Sequence, residues 1–337
     1  MFAPLGIFLE TPPPVPSHRL AARPLAACLT VIATLTFAGA ALADDCALKK
    51  IASAPATITA GNQLLVSASI DGTILPMVFD TTSPRMGLSR AAVTRLGLPI
   101  ATGREAFVFG GPPVIDRARM TELKFGPVSM PVTQALIFNA GGDGSDGKAA
   151  GQLGGRALFF DVEIDPAAGR LNFFDQHHCP GHVVYWAPEY NTLTAYVDAR
   201  SDWLTTEVEL DGKKLRAVID TGASWTTMPQ RHAQDLFGLG DKSPGMSQAD
   251  GVMLGGEIDP AIAYTFHTLK LGDIVVNNPR IMIARVDYND DSNTGSHFHE
   301  HELVMPDLLI GMNILKSFHL YIAYEEGVIY YTPAKPS

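Results

Sequence analysis

Two stretches of this chain carry the same pattern 140 positions apart, and that repeat limits the possible folds more than any other feature. The later copy runs from Val208 through Asp211-Gly212 to Val218-Ile219-Asp220-Thr221-Gly222-Ala223-Ser224. The earlier copy runs from Ala68 through Ile70-Asp71-Gly72 to Val78-Phe79-Asp80-Thr81-Thr82-Ser83. Each Asp-Gly joins two apolar-rich runs, the usual signal of a hairpin. A helix-like stretch follows each copy, Ser89 to Leu98 and Pro229 to Leu236. Ser89 suits a helix cap and Pro229 a first helical turn. Two strand ends that each offer one carboxylate suggest a shared two-aspartate site, an arrangement suited to activating water.

The matches continue downstream. Phe109-Gly110-Gly111 parallels Leu254-Gly255-Gly256, and Leu123-Lys124-Phe125-Gly126 parallels Leu269-Lys270-Leu271-Gly272. Leu153-Gly154-Gly155 parallels Ile310-Gly311-Met312, now 157 positions apart. The growing offset puts inserted residues in loops, most of them at 286–303. Phe160, Val162 and Ile164, then Phe318, Leu320 and Ile322, alternate at period two, as half-buried strands do. With 46% hydrophobic residues, 31 glycines and 24 prolines in 337 residues, the chain has material for a large core and many turns. It reads as mostly β, with two duplicated barrel-like lobes and a cleft between them. The expected divisions are an N-terminal lobe at 44–176, a linker at 177–203 and a C-terminal lobe at 204–337.

The first 43 residues read differently. Arg19 and Arg23 precede an apolar stretch from Leu25 to Ala41, which runs into Ala41-Leu42-Ala43 just before Asp44-Asp45. That is the pattern of a cleaved secretory signal, with an uncleaved membrane anchor as the alternative. The expected location is secreted or periplasmic, with no stable membrane span after cleavage. The formal charge is −10, and −11 once Arg19, Arg23 and Glu10 are removed. Such an acidic chain is not a nucleic-acid binder by electrostatics.

Two cysteines lie beyond the leader. In an oxidising compartment, Cys46 and Cys179 suggest one disulfide. The alternative for Cys179 is metal ligation, because His177, His178 and His182 surround it. A second polar cluster, His297, His299 and His301 with Glu302, falls in the inserted loop and reads first as a solvated acidic loop. Asp287, Asn289, Asp290 and Asp291 lack the spacing of a calcium loop. The leading reading therefore needs no metal and no cofactor.

The Asp-Thr-Gly-Ala-Ser motif, with Leu308-Leu309-Ile310-Gly311-Met312-Asn313-Ile314-Leu315 further on, resembles the aspartic peptidases. Each half resembles one retropepsin-type subunit, and the fused pair resembles a pepsin-like bilobal enzyme of the bacterial retropepsin-like group. The resemblance implies that Asp80 and Asp220 form the catalytic pair. It implies that Thr81 and Thr221 brace the two loops, that Gly222 allows close backbone approach, and that Ser83 and Ser224 support the carboxylates or nearby backbone. Hairpin tips at Gly110-Gly111 and Gly255-Gly256 would be flaps over the cleft, or ordinary turns. Thr82 departs from the family's glycine. It would be strained if that position needs a positive φ, or would crowd the partner loop if it needs close packing.

The resulting expectation is an exported endopeptidase acting on peptide or protein substrates, for which a monomer is sufficient. The alternatives are an inactive protease-like peptide binder and an envelope protein that binds metal through its His-rich loop.

Overall fold

The structure is a computed structural model. It describes residues 46–334 apart from 84, 109–110, 127, 131, 140, 155–158, 199–202, 255–256 and 285–305. The leader at 1–43 and the acidic and His-rich stretch at 286–303 thus lie outside the described residues.

The chain is mostly β, and its two halves repeat one topology. The first half opens with the hairpin Leu64–Ile70 and Thr73–Asp80, and the second with Leu204–Leu210 and Lys213–Ile219. Both turns use two residues with positive φ: Asp71 at 46° and Gly72 at 85°, then Asp211 at 45° and Gly212 at 81°. That conformation matches the twist of the flanking strands. Even the turn's support is duplicated. Asp71 Oδ1 accepts from the N–H groups of Thr121 and Glu122, and Asp211 Oδ1 accepts from those of His267 and Thr268.

Each hairpin leads into a short strand and one helix, Arg90–Leu96 or Gln230–Phe237. Ser89 caps the first helix by accepting from Ala92 N at 2.9 Å. Pro229 stands one residue before the second helix, at its N-cap and at the end of the strand Thr227–Pro229, instead of in the first turn. A long hairpin follows in each half: Ile100–Val108 with Gly111–Arg119, and Ser247–Leu254 with Glu257–Thr265.

The chain then returns to the aspartate strands. Gly151–Gly154 lies parallel to Thr73–Asp80, with Leu153 opposite Phe79 and Gly154 opposite Asp80. Leu308–Ile310 lies parallel to Lys213–Ile219, with Ile310 opposite Ile219. Phe79, Leu153, Leu308 and Ile310 are fully buried. At roughly 1.5–3 kcal/mol for each large apolar side chain, this packing anchors both aspartate strands in the core.

A shared antiparallel sheet joins the halves. Asp161–Asp165 pairs with Phe318–Ala323, with Val162 opposite Ile322. Arg170–Phe174 and Lys50–Ile58 extend it on one side, and Val328–Pro333 and Asn191–Val197 on the other. The strand Asn191–Val197 falls within the stretch expected as a linker. Cys46 and Cys179 form a disulfide that ties the start of the described chain to the segment after Phe174. That bond removes Cys179 from consideration as a metal ligand. Two of the surrounding histidines bond to carboxylates, His178 to Asp161 and His177 to Asp175.

Candidate active site

Asp80 is the last residue of its strand and Asp220 directly follows the matching one. The strands are held by buried neighbours, so the two carboxylates are presented on rigid backbone. Asp80 is 6% exposed and Asp220 8%. Neither forms an ion pair with a basic side chain among the described residues.

The two threonines that follow are fully buried and bond each other's loops reciprocally. Thr81 N donates to Thr221 Oγ1 and Thr221 N donates to Thr81 Oγ1, both at 3.1 Å. The Thr81 hydroxyl then donates to Ile219 O at 2.6 Å, and the Thr221 hydroxyl to Phe79 O at 2.8 Å. Each bond crosses from one half to the other. All four groups would otherwise be buried without a partner, so breaking the set costs more than its net gain of about 1 kcal/mol per bond.

Each carboxylate is fixed through one oxygen by its own loop. Asp220 Oδ1 accepts from Gly222 N at 2.9 Å and Ala223 N at 3.0 Å. Asp80 Oδ1 accepts from Thr82 N at 2.7 Å and Ser83 N at 3.1 Å. Asp80 has one further donor, the Thr82 hydroxyl at 2.6 Å. The second loop has no equivalent, because Gly222 has no side chain.

Neither Thr82 nor Gly222 has a positive φ, so the strain expected at Thr82 does not arise. The glycine at 222 is required by space. A Cβ there would stand 2.5 Å from Asp80 Cγ. Gly154 and Gly311 also serve close approach, since a Cβ on Gly154 would strike Ser83 O and Arg85 O, and one on Gly311 would strike the Trp225 carbonyl group.

Burial, and secondarily the charge of Asp80, pushes the Asp220 carboxyl up to about 8, against hydrogen bonds from Ala223 and Gly222. Burial also raises Asp80, but the Thr82 hydroxyl and the N–H groups of Thr82 and Ser83 oppose the rise. The pair is therefore uneven: the first carboxylate has more donors to stabilise its charge. The extra hydroxyl donor makes Asp80 the better place for a negative charge and Asp220 the better place for a proton.

The remaining site expectations divide. The Ser83 hydroxyl turns to Arg85 O at 2.7 Å, and only its N–H reaches Asp80. The Ser224 carbonyl accepts from Asn313 N at 3.1 Å. Gly111 begins the return strand of the first long hairpin, while Gly110, Gly255 and Gly256 lie outside the described residues. Asn313 supports the Asp220 loop and was missed as a functional residue. Its Oδ1 accepts from Thr226 N at 2.6 Å and Thr226 Oγ1 at 2.9 Å, and Thr226 Oγ1 accepts from Gly311 N. A polar residue inside the apolar run Leu308 to Leu315 was the available signal.

The aspartyl protease family model matches residues 66–155 and 206–314. No curated protein sequence matches the chain. Among solved structures, the aspartic proteinase from Irpex lacteus is similar at a TM-score of 0.48 and 11% sequence identity, over 84% of this chain and 97% of that one. The two segments matched by the family model contain both Asp loops and exceed half of the sequence, so the chain belongs to the aspartyl protease family.

Proposed function

We propose that this protein is an exported endopeptidase in which Asp80 and Asp220 together activate a water molecule. The observation that carries this reading is the reciprocal Thr81–Thr221 lattice, which ties two buried carboxylates into one structure. Asp80, with its extra hydroxyl donor, is the ionised partner and takes a proton from water. Asp220 is the protonated partner and donates to the oxygen of the scissile carbonyl. The water oxygen bonds to the carbonyl carbon to give a tetrahedral intermediate. Return of a proton to the amide nitrogen lets the C–N bond break, leaving a free carboxyl and a free amine.

The titration belongs to the pair. Loss of the shared proton would silence the site, so the rate falls on the alkaline side near pH 8, where Asp220 releases it. The leader read at 1–43 and the Cys46–Cys179 disulfide both favour an oxidising destination outside the cytoplasm. Both halves of the site lie in one chain, so a monomer suffices.

The test is digestion of an unfolded protein by the wild type and by Asp80→Asn and Asp220→Asn, followed by mass spectrometry of the products. Each substitution should lower kcat/KM by roughly a thousandfold or more, in line with removal of an essential acid or base group. Equal background in all three proteins sinks the proposal. N-terminal sequencing of the exported protein tests cleavage after Ala43.

A further inference from the structure

The strand Gly111–Arg119 alternates: Ala118 is fully buried, so Arg117 and Arg119 point from the opposite face. Pairing places Arg119 opposite Gln134 and Arg117 opposite Ala101. The strand Gln134–Phe138 runs parallel to Gly87–Ser89, with Leu136 opposite Gly87, which brings Arg85 level with Gln134. Arg85, Arg117, Arg119 and Gln134 then line one cavity of about 430 Å³, together with residues 101–103. The volume falls in the range of small-ligand pockets, roughly 300–1,000 Å³.

Among the described residues the lining has three guanidinium groups and no carboxylate. In a chain of net charge −10 this local excess of positive charge stands out. Arg117 is held in place, with Nη1 donating to Ile115 O at 3.1 Å and its head lying where a side chain on Gly103 would be. Nearby Asp116 is taken up by Arg90 at 3.1 Å. Arg85 and Arg119 bring like charges to one wall, and an anion between them relieves their repulsion. A planar guanidinium matches a carboxylate in two-pronged geometry.

The cavity also borders the aspartate loop. The Ser83 hydroxyl bonds to Arg85 O, and Ser83 N bonds to Asp80. Its wall therefore begins five residues beyond Asp80, beside the arms of the long hairpin.

We propose that this cavity is a specificity subsite that takes a carboxylate of the peptide substrate, a few residues from the bond cleaved. The inference rests on the peptidase reading for its role in specificity, but binding tests it separately. The carboxylate comes from an acidic side chain or from the substrate's C-terminus.

The experiment measures fluorescence anisotropy with Asp220→Asn protein and three labelled peptides of one sequence. One has glutamate and an amidated end, the second has glutamine and an amidated end, and the third has glutamine and a free carboxyl end. At about 50 mM salt a carboxylate peptide should bind about 10-fold more tightly than the neutral one, as expected for hydrogen bonds to a charged group. The gap should shrink at about 0.5 M salt and vanish in Arg85→Gln and Arg119→Gln. Which peptide shows the gap identifies the source of the carboxylate. Equal binding of all three peptides, no binding of any, or a gap that survives both substitutions overturns the inference. If the gap holds but the wild type cleaves nothing, the peptidase reading fails and the subsite stands. If the wild type cleaves without a carboxylate gap, the subsite alone fails.

Discussion

The molecule buries two pairs of carboxylates and treats them in opposite ways. Asp80 and Asp220 sit in the Asp loops, and among the described residues they face hydroxyl and amide donors only. Asp161 and Glu163 sit on the central strand of the shared sheet, each 1% exposed and each with its own histidine. His178 Nε2 lies 2.7 Å from Asp161, and His319 Nε2 lies 2.8 Å from Glu163. Glu163 also accepts from Tyr185 at 2.7 Å and Asn172 at 2.7 Å, while Trp186 stacks on His319 at 4.1 Å between ring centroids. Burial pushes Glu163 up, but His319, Tyr185 and Asn172 outweigh it and hold it below its ordinary value. At Asp161 burial prevails over the bonds from His178 and the Tyr324 N–H, so its carboxyl is raised. Burial alone therefore does not set how a carboxyl holds its proton. What distinguishes the Asp80–Asp220 pair is that two carboxylates face each other's charge with no cation beside them among the described residues.

The contrast can be broken first at the shared sheet. His319→Ala leaves Glu163 buried without its main partner, and should cost roughly 3–5 kcal/mol of stability in denaturant unfolding. The folded fraction should keep its kcat, because the histidine serves the sheet and not the chemistry. A loss of kcat with unchanged stability would reverse that assignment.

A smaller effect belongs to the Asp80 loop. Thr82→Val removes the hydroxyl donor to Asp80 and should lower kcat by roughly 10- to 100-fold, the value of a hydrogen bond to a charged group. The acid limb of the pH–rate profile should also move to higher pH, since ionised Asp80 loses a stabilising donor. Thr82→Ser should stay near wild type. If Val and Ser behave alike, the hydroxyl has no part in the reaction.

The last effect is spread over pH and is the smallest per pH unit. Asp220 is held up to about 8 when folded, against about 3.9 unfolded. Its contribution to stability is full below about pH 4 and is lost as the pH climbs to about 8, at up to about 1.4 kcal/mol per pH unit. Glu163 has the opposite sign. Held low, it contributes stability above about pH 4.3, which is lost as the pH falls through its folded value. In melting curves across pH, Asp220→Asn should therefore gain on wild type from pH 4 to pH 8. Glu163→Gln should lose ground to wild type as the pH rises out of the acid range. Parallel curves would show that the two pairs do not differ in this way.

The aspartate loops were legible in the sequence because duplication repeats local signals at a fixed spacing. The Asp-Gly turns and the Asp-Thr motifs marked the two hairpins and the strand ends that carry Asp80 and Asp220, and the Gly154 and Gly311 segments matched each other further on. What escaped depends on contacts between distant residues of unlike type. Asp161 and Glu163 read as polar positions on an alternating strand, and nothing near them announces His178 or His319. The arginine cavity draws Arg85, Gln134 and Arg119 from separate elements, so no local pattern marks it. Thr82 was visible as a departure, but its effect depended on where its hydroxyl points.

That departure bears on how the chain arose. In an assembly of two identical subunits, each loop must carry the same residue at this position, and a threonine in both would set a Cβ 2.5 Å from the facing carboxyl carbon. Thr82 opposite Gly222 is a solution closed to two identical subunits. The covalent link thus gave heredity a freedom that symmetry withholds: one loop could change while its twin stayed fixed.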